Sequence, residues 1–281
     1  MESTASDRWA VILGVSSGCG AAIARAVARD PGLHVFGVHR GHHPDSAREL
    51  EDELRALGRK VVMLVGDAGL PEGVLAHAAA LQQAAGVRSV ALFVHSIAGA
   101  SLGHFLPTHG DGFHPRQFEK TFNYLAHSFP YWARALHDQE LLAPGARLLG
   151  LTNVLHESLL DNCGLIIAAK AALEMYVRHL ALELGPLGHR VNLLKFATVV
   201  TPSLATMLGP RVFASLDETH REMIPAGRMC TVDDVGRIVS VLAGEAAEWF
   251  NGATIDYTGG MTLRLLDIVV RGPRGRQGDG P

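Results

Sequence analysis

The sequence predicts one α/β domain on a seven-stranded, doubly wound parallel sheet. Short apolar runs alternate with amphipathic helical stretches along most of the chain. The runs are apolar throughout, as strands covered on both faces require. A glycine cluster separates the first run from the first helix, and 281 residues with 48% hydrophobic content suit a single large domain.

The elements follow in order. WAVILGV (9–15) is a buried strand that ends in glycines, and AAIARAVARD (21–30) is an alanine-rich helix. LHVFGVH (33–39) is the second strand. SARELEDELRALG (46–58) is a charged amphipathic helix opened by a serine and stopped by a glycine. KVVMLVGD (60–67) is the third strand, and PEGVLAHAAALQQAAG (71–86) is a helix with proline at its start. SVALFVHSIA (89–98) is the fourth strand. Residues 114–139 read as one long helix with Pro130 as its kink. ARLLGLTN (146–153) is the fifth strand, and residues 165–185 form a helix closed by glycine. HRVNLLKFA (189–197), a helix at 231–244 and GATIDYTG (252–259) complete the pattern. The domain is expected to run over 1–262. Residues 263–281 form a C-terminal segment whose Gly/Pro/Arg-rich end, 271–281, is expected to be a disordered tail.

Composition excludes several classes. The formal net charge is −3, so there is no basic footprint for nucleic acid. No apolar run approaches the ~20 residues of a membrane span. Three cysteines, an odd and small number, fit a reduced cytoplasmic protein, and the N-terminus lacks the pattern of a secretory signal. Fifteen histidines are many, but neither Gly41–Pro44 (GHHP) nor the pair His109/His114 has acidic or thiol companions at metal-ligand spacing. No metal site is expected.

The first loop, GVSSGCG, sets Gly14, Gly18 and Gly20 between a strand and a helix. Glycines there permit a tight turn and let a phosphate approach the helix N-terminus, where free N–H groups and the dipole favour an anion. Ser16 and Ser17 add hydroxyl donors. This is the context of a Rossmann-type dinucleotide site. After the second strand stand His39 and Arg40, with no carboxylate until Asp45. An arginine suits a 2′-phosphate, which favours NADPH over NADH.

With these motifs in place, the chain resembles a short-chain dehydrogenase/reductase, and most closely the enoyl-acyl-carrier-protein reductases, over residues 9–262. VHSIAGA (94–100) is the most specific element, since enoyl reductases carry His-Ser-Ile-Ala/Gly there. The resemblance implies that Asp67 and Ala68 sit by the adenine, and that Ser96, Ile97 and Ala98 pass along the cofactor. It gives Lys170 the family's lysine position, and Val199 and Thr201 the positions that hold the nicotinamide amide and phosphates. It further implies a homotetramer, with the fourth helix and its Tyr124 at the interface. It implies an apolar acyl-thioester substrate, carried on an acyl carrier protein, beneath a lid containing Leu204, Met207, Leu208 and Phe213.

The reactive tyrosine of that family stands seven residues before the lysine, and a second tyrosine ten residues earlier. Here those positions are Cys163 and Asn153, and the wider superfamily's spacing of four falls on Ile166. In carbonyl reduction the phenol protonates an alkoxide, so ordinary ketone reduction loses its acid. In enoyl-thioester reduction the phenol is chiefly an oxyanion donor, and its loss costs about 10²–10³ in rate. Candidate replacements are the Cys163 thiol, the Asn153 amide, a water, or the cofactor ribose held by Lys170. Cys163 itself reads as an apolar filler, as a donor or thiolate with a pKa lowered by Lys170, or as a covalent nucleophile. Gly164 beside it leaves space. Two functions remain open: an NAD(P)H-dependent enoyl reductase with an atypical proton donor, or a non-redox member of the fold, such as an isomerase, a cyclase or a nucleotide- or acyl-binding protein.

Overall fold

Alternate residues of β1 (Arg8–Leu13) explain the layering. Trp9, Val11 and Leu13 point into one core, and Ala10 and Ile12 into the other, because successive strand side chains face opposite sides. Both faces are apolar, so both must be covered. The computed structural model describes residues 7–107, 110, 112–154, 159–201, 216 and 218–264. The lid residues named above and the tail lie outside these.

The sheet holds β1, β2 (Leu33–His39), β3 (Val61–Val65), β4 (Val90–His95), β5 (Leu142–Asn153), β6 (Arg190–Phe196) and β9 (Thr254–Tyr257). Its order is β3-β2-β1-β4-β5-β6-β9, and every pairing is parallel. The seven-stranded doubly wound prediction is therefore met. One core packs under α3 (Pro71–Ala85), α4 (Pro115–Phe122), α5 (Ser128–Asp138) and α6 (Gly164–Leu184). The other packs under α1 (Gly18–Val27), α2 (Pro44–Ala56) and α7 (Val232–Ala243). The segments β7 (Val199–Val200) and β8 (Cys230–Thr231) add a two-stranded parallel pair that the sequence does not announce. Two residues a side are too few for a periodicity.

Several element ends shift by one to three residues, and two differences have a clear physical cause. β5 begins at Leu142 rather than 146, because its register with β4 shifts between Val90 and Leu92 and the extra residues include Pro144 and Gly145. Such residues mark a bulge inside a strand and look like a turn in sequence. The helix expected over 114–139 is divided by a π-helical turn, Asn123–His127. Ser128 donates its backbone N–H to the Asn123 carbonyl, five residues back. Pro130 has no N–H to offer an α-helical register, and a wider turn just before it accommodates that loss.

Candidate active site

Strands β2 and β3 lie on one side of β1, and β4 lies on the other. The strand order reverses between β1 and β4, which opens a crevice outside their carboxyl ends. Gly14 enters it with φ 78°, and a Cβ there would stand 2.3 Å from the Ser96 carbonyl oxygen. Ser96 in turn donates its N–H to the Leu13 carbonyl at 3.1 Å. A Cβ on Gly20 would meet the Gly14 oxygen at 2.2 Å, so α1 packs directly on the turn. Ser17 stands at the N-cap of α1, yet its hydroxyl makes no capping bond. The first-turn N–H groups thus remain for an anion. The Thr201 methyl lies 3.6 Å from where a Gly18 Cβ would be, and Val199 and Ser16 are buried. These residues fit the phosphates of a dinucleotide.

At the other end of the crevice, Arg40 follows β2 and Asp67 follows β3. Asp67 Oδ1 accepts the Gly69 N–H at 2.7 Å, and Oδ2 accepts the Tyr124 hydroxyl. Arg40 Cζ stands 5.4 Å from the centre of the Tyr124 ring. The ring fills the space beside Gly69, where a Cβ would come within 2.5 Å of it. Trp132 on α5 donates its indole N–H to the Ala68 carbonyl at 3.0 Å. The divided helix therefore grips the end of β3 with two side chains. Tyr124 is buried against the expected adenine position rather than displayed on an outer face of its helix. Ile97 packs on the core, and Ala98 is exposed in the loop after β4.

At the middle, the Lys170 ammonium donates to the Leu151 carbonyl at 2.6 Å, and burial pushes its pKa down to about 8. His95, fully buried, sits close enough to feel that charge. Burial first and Lys170 second hold His95 down to about 3, so it is neutral. Ser128 Oγ lies 2.7 Å from His95 Nε2 and donates to the Tyr124 carbonyl at 3.2 Å. His95 Nε2 must then carry the proton, and Nδ1 has no partner among the described residues. Asn153 ends β5, opposite Phe196 of β6.

Cys163 stands at the N-cap of α6, buried, with Sγ 3.5 Å from Asn162 Oδ1. Burial pushes its thiol up. That direction runs against the reading of a thiolate stabilised by Lys170, because desolvation disfavours the anion. The space expected beside Gly164 is also filled. A Cβ there would fall 2.4 Å from the Phe105 ring, which packs with Phe113 and Phe118 at centroid distances of 5.5 and 6.1 Å. A cavity of about 390 Å³ adjoins this ring, between the loop after β4 and the turn before α6, lined by Gly103, Phe105, Leu159, Leu160 and Ile167. A second, of about 460 Å³, lies at the amino ends of β4, β5 and β6, away from the glycine turn. Among the described residues no cluster of His, Cys, Asp or Glu suits a metal, and no helix is long and apolar enough to cross a membrane.

Comparison with known proteins decides the family. The model of the family described as enoyl-(acyl carrier protein) reductase matches residues 14–262. The chain belongs to that family. Hydroxynaphthalene reductase arp2 of Aspergillus fumigatus is 26% identical over 255 residues, covering 88% of this chain and 89% of that protein. The NADH-dependent enoyl-[acyl-carrier-protein] reductase FabI of Escherichia coli is 28% identical over 178 residues, 62% of this chain and 65% of FabI. The crystal structure of a short-chain dehydrogenase from Burkholderia cenocepacia J2315, in complex with NADP, superposes with a TM-score of 0.79 at 23% identity. It covers 92% of this chain and 99% of its own, and supports the fold. The enoyl reductase family and the short-chain dehydrogenase/reductase fold are thus established here. Sequence reasoning missed the contact of Tyr124 with Asp67 and Arg40. Pro130 marked the irregular helix, but nothing in the sequence marked the face that Tyr124 would take.

Proposed function

We infer that this protein is an NAD(P)H-dependent reductase that reduces an unsaturated acyl thioester, or a similarly apolar substrate, without a tyrosine as proton donor. The observation that carries the reading is the uncapped N-terminus of α1, presented by Gly14 and Gly20 at the switch point beside Thr201. Reduced nicotinamide, when bound, supplies hydride to the substrate's β-carbon. In this reading Lys170, anchored on Leu151, orients the ribose. The oxyanion of the resulting enolate then needs a donor. The Asn153 amide, a water or the Lys170-held ribose is the candidate, since the Cys163 thiol is buried and already directed at Asn162 Oδ1 at 3.5 Å. The cavity beside Phe105, whose apolar wall of Phe105, Leu159, Leu160 and Ile167 is edged by His104, Asp161 and Asn162, is compatible with a partly apolar substrate. Arg40 favours NADPH. The resemblance supports a cytoplasmic homotetramer acting on acyl groups carried by an acyl carrier protein.

One observation favours the non-redox reading: Phe105 closes the space beside the position of the missing phenol. Incubation with NADPH or NADH and enoyl thioesters of several chain lengths separates the two. Loss of reduced-nicotinamide absorbance is expected. Absence of turnover at every length would overturn the reductase reading, and cofactor binding without oxidation would favour an isomerase, a cyclase or a binding protein.

A further inference from the structure

We propose that Tyr124 is a specificity-determining residue that keeps Arg40 available for the 2′-phosphate of NADPH by occupying Asp67. The proposal rests on the nicotinamide-cofactor reading above. Arg40 and Asp67 end neighbouring strands, and opposite charges so placed tend to pair. They do not pair here: among the described residues Arg40 has no carboxylate within ion-pair distance. Both oxygens of Asp67 are already engaged by neutral donors, Oδ1 by the Gly69 N–H and Oδ2 by the Tyr124 hydroxyl. The guanidinium instead lies over the Tyr124 ring, 5.4 Å from its centre. There the ring's negative face holds the cation without neutralising it.

The π-helical turn makes this possible. It carries Tyr124 onto Asp67 from a helix 57 positions further along the chain. π-Turns recur at functional sites for this kind of re-aiming. Removing only the hydroxyl would leave Asp67 Oδ2 without its donor. Arg40, held against the same ring, is a strong donor in the same cluster, and an Arg–carboxylate fork is the favoured geometry. A paired Arg40 offers a 2′-phosphate little net charge, while NADH, which lacks that phosphate, is indifferent to the change.

The test is calorimetric titration of NADPH and NADH into the full chain and its Tyr124→Phe and Tyr124→Phe/Asp67→Asn variants. The NADPH-to-NADH affinity ratio should fall about tenfold or more in Tyr124→Phe, the scale of one charge-assisted bond to phosphate. NADH affinity should stay within about twofold on the same grounds. The double variant should regain the ratio, because a neutral amide no longer competes for Arg40 while still accepting from Gly69. An unchanged ratio in Tyr124→Phe, or no recovery in the double variant, overturns the proposal. So does a wild type that prefers NADH. A wild type that binds neither cofactor overturns the nicotinamide reading itself. If Tyr124→Phe does not fold, Asp67→Asn alone carries the test: its ratio must hold or rise, and a fall overturns the proposal.

Discussion

Lys170 is held between two opposing effects. Burial disfavours its charge and brings its pKa from 10.5 down to about 8, while the Leu151 carbonyl at 2.6 Å orients its ammonium. The charge is then present at neutral pH and lost as pH rises through about 8. Affinity for an anionic dinucleotide, followed by fluorescence titration, should weaken across that interval in the wild type and stay flat and weaker in Lys170→Met. A midpoint near 10.5 would show that the side chain is not buried in solution. Cys163 gives the opposite expectation. Its thiol is buried and directed at Asn162 Oδ1, so Cys163→Ala should leave any turnover within about twofold, far from the ~10² loss that removal of an oxyanion donor brings. A loss of that size would return the thiol to the mechanism. Spacing from the lysine identified Cys163 in the sequence, but its protonation depends on burial, which spacing does not report.

The divided helix over α4 and α5 shows how an element builds the crevice. Trp132 and Tyr124 both fasten onto 67–68, one through the Ala68 carbonyl and the other through the Asp67 carboxylate. Trp132→Phe keeps the aromatic packing against Phe93 but leaves a buried carbonyl without its donor. That should cost about 1–3 kcal/mol in denaturant unfolding and weaken dinucleotide binding, because the end of β3 loses a tether. Unaltered affinity with lowered stability would confine Trp132 to the core. The opening of α7 is a second such joint. Thr231 accepts the Asp234 N–H at 3.2 Å, Asp234 accepts the Thr231 N–H at 2.9 Å, and Arg228 bonds the same buried carboxylate. Asp234→Ala removes the reciprocal half of this capping box, for an expected loss of about 1 kcal/mol. Thermal unfolding reads it, and a loss under ~0.5 kcal/mol would mean the box is idle. The helix over 231–244 was legible in the sequence, but its cap was not. The π-turn was not, since Pro130 announces a break without choosing between a kink and a wider register.

For the molecule as a whole, the strands were legible because their apolar runs are long and bounded by glycine, and β1 alone shows both cores in its alternation. What sequence order does not carry is which distant side chains meet: Tyr124 with Asp67, Phe105 with Gly164, Ser128 with His95. Those meetings bury polar groups, and the buried histidines have a consequence for the entire fold. His39, His95, His127 and His189 are all held below the usual histidine range by burial, with His95 down to about 3. In the unfolded chain each takes a proton near pH 6.5. Below that pH the unfolded state therefore binds more protons than the folded one, so stability falls with acid. For His95 the stabilisation is fully present above about pH 6.5 and is lost progressively as pH drops toward about 3. At full effect each such group contributes about 1.4 kcal/mol per pH unit. The depressed carboxylates Asp234 and Asp256 add to this only further down, below the ordinary carboxylate range. The melting temperature should accordingly hold from pH 8 to roughly 7 and decline between roughly 6.5 and 5, where histidines titrate and carboxylates scarcely do. His95→Gln should melt lower at neutral pH, having lost its fit to Ser128, but with a shallower decline. A wild type whose melting temperature is flat down to pH 5, or a His95→Gln decline as steep as the wild type's, would mean that His95 reaches water and that the pocket behind the His-Ser-Ile-Ala turn is open.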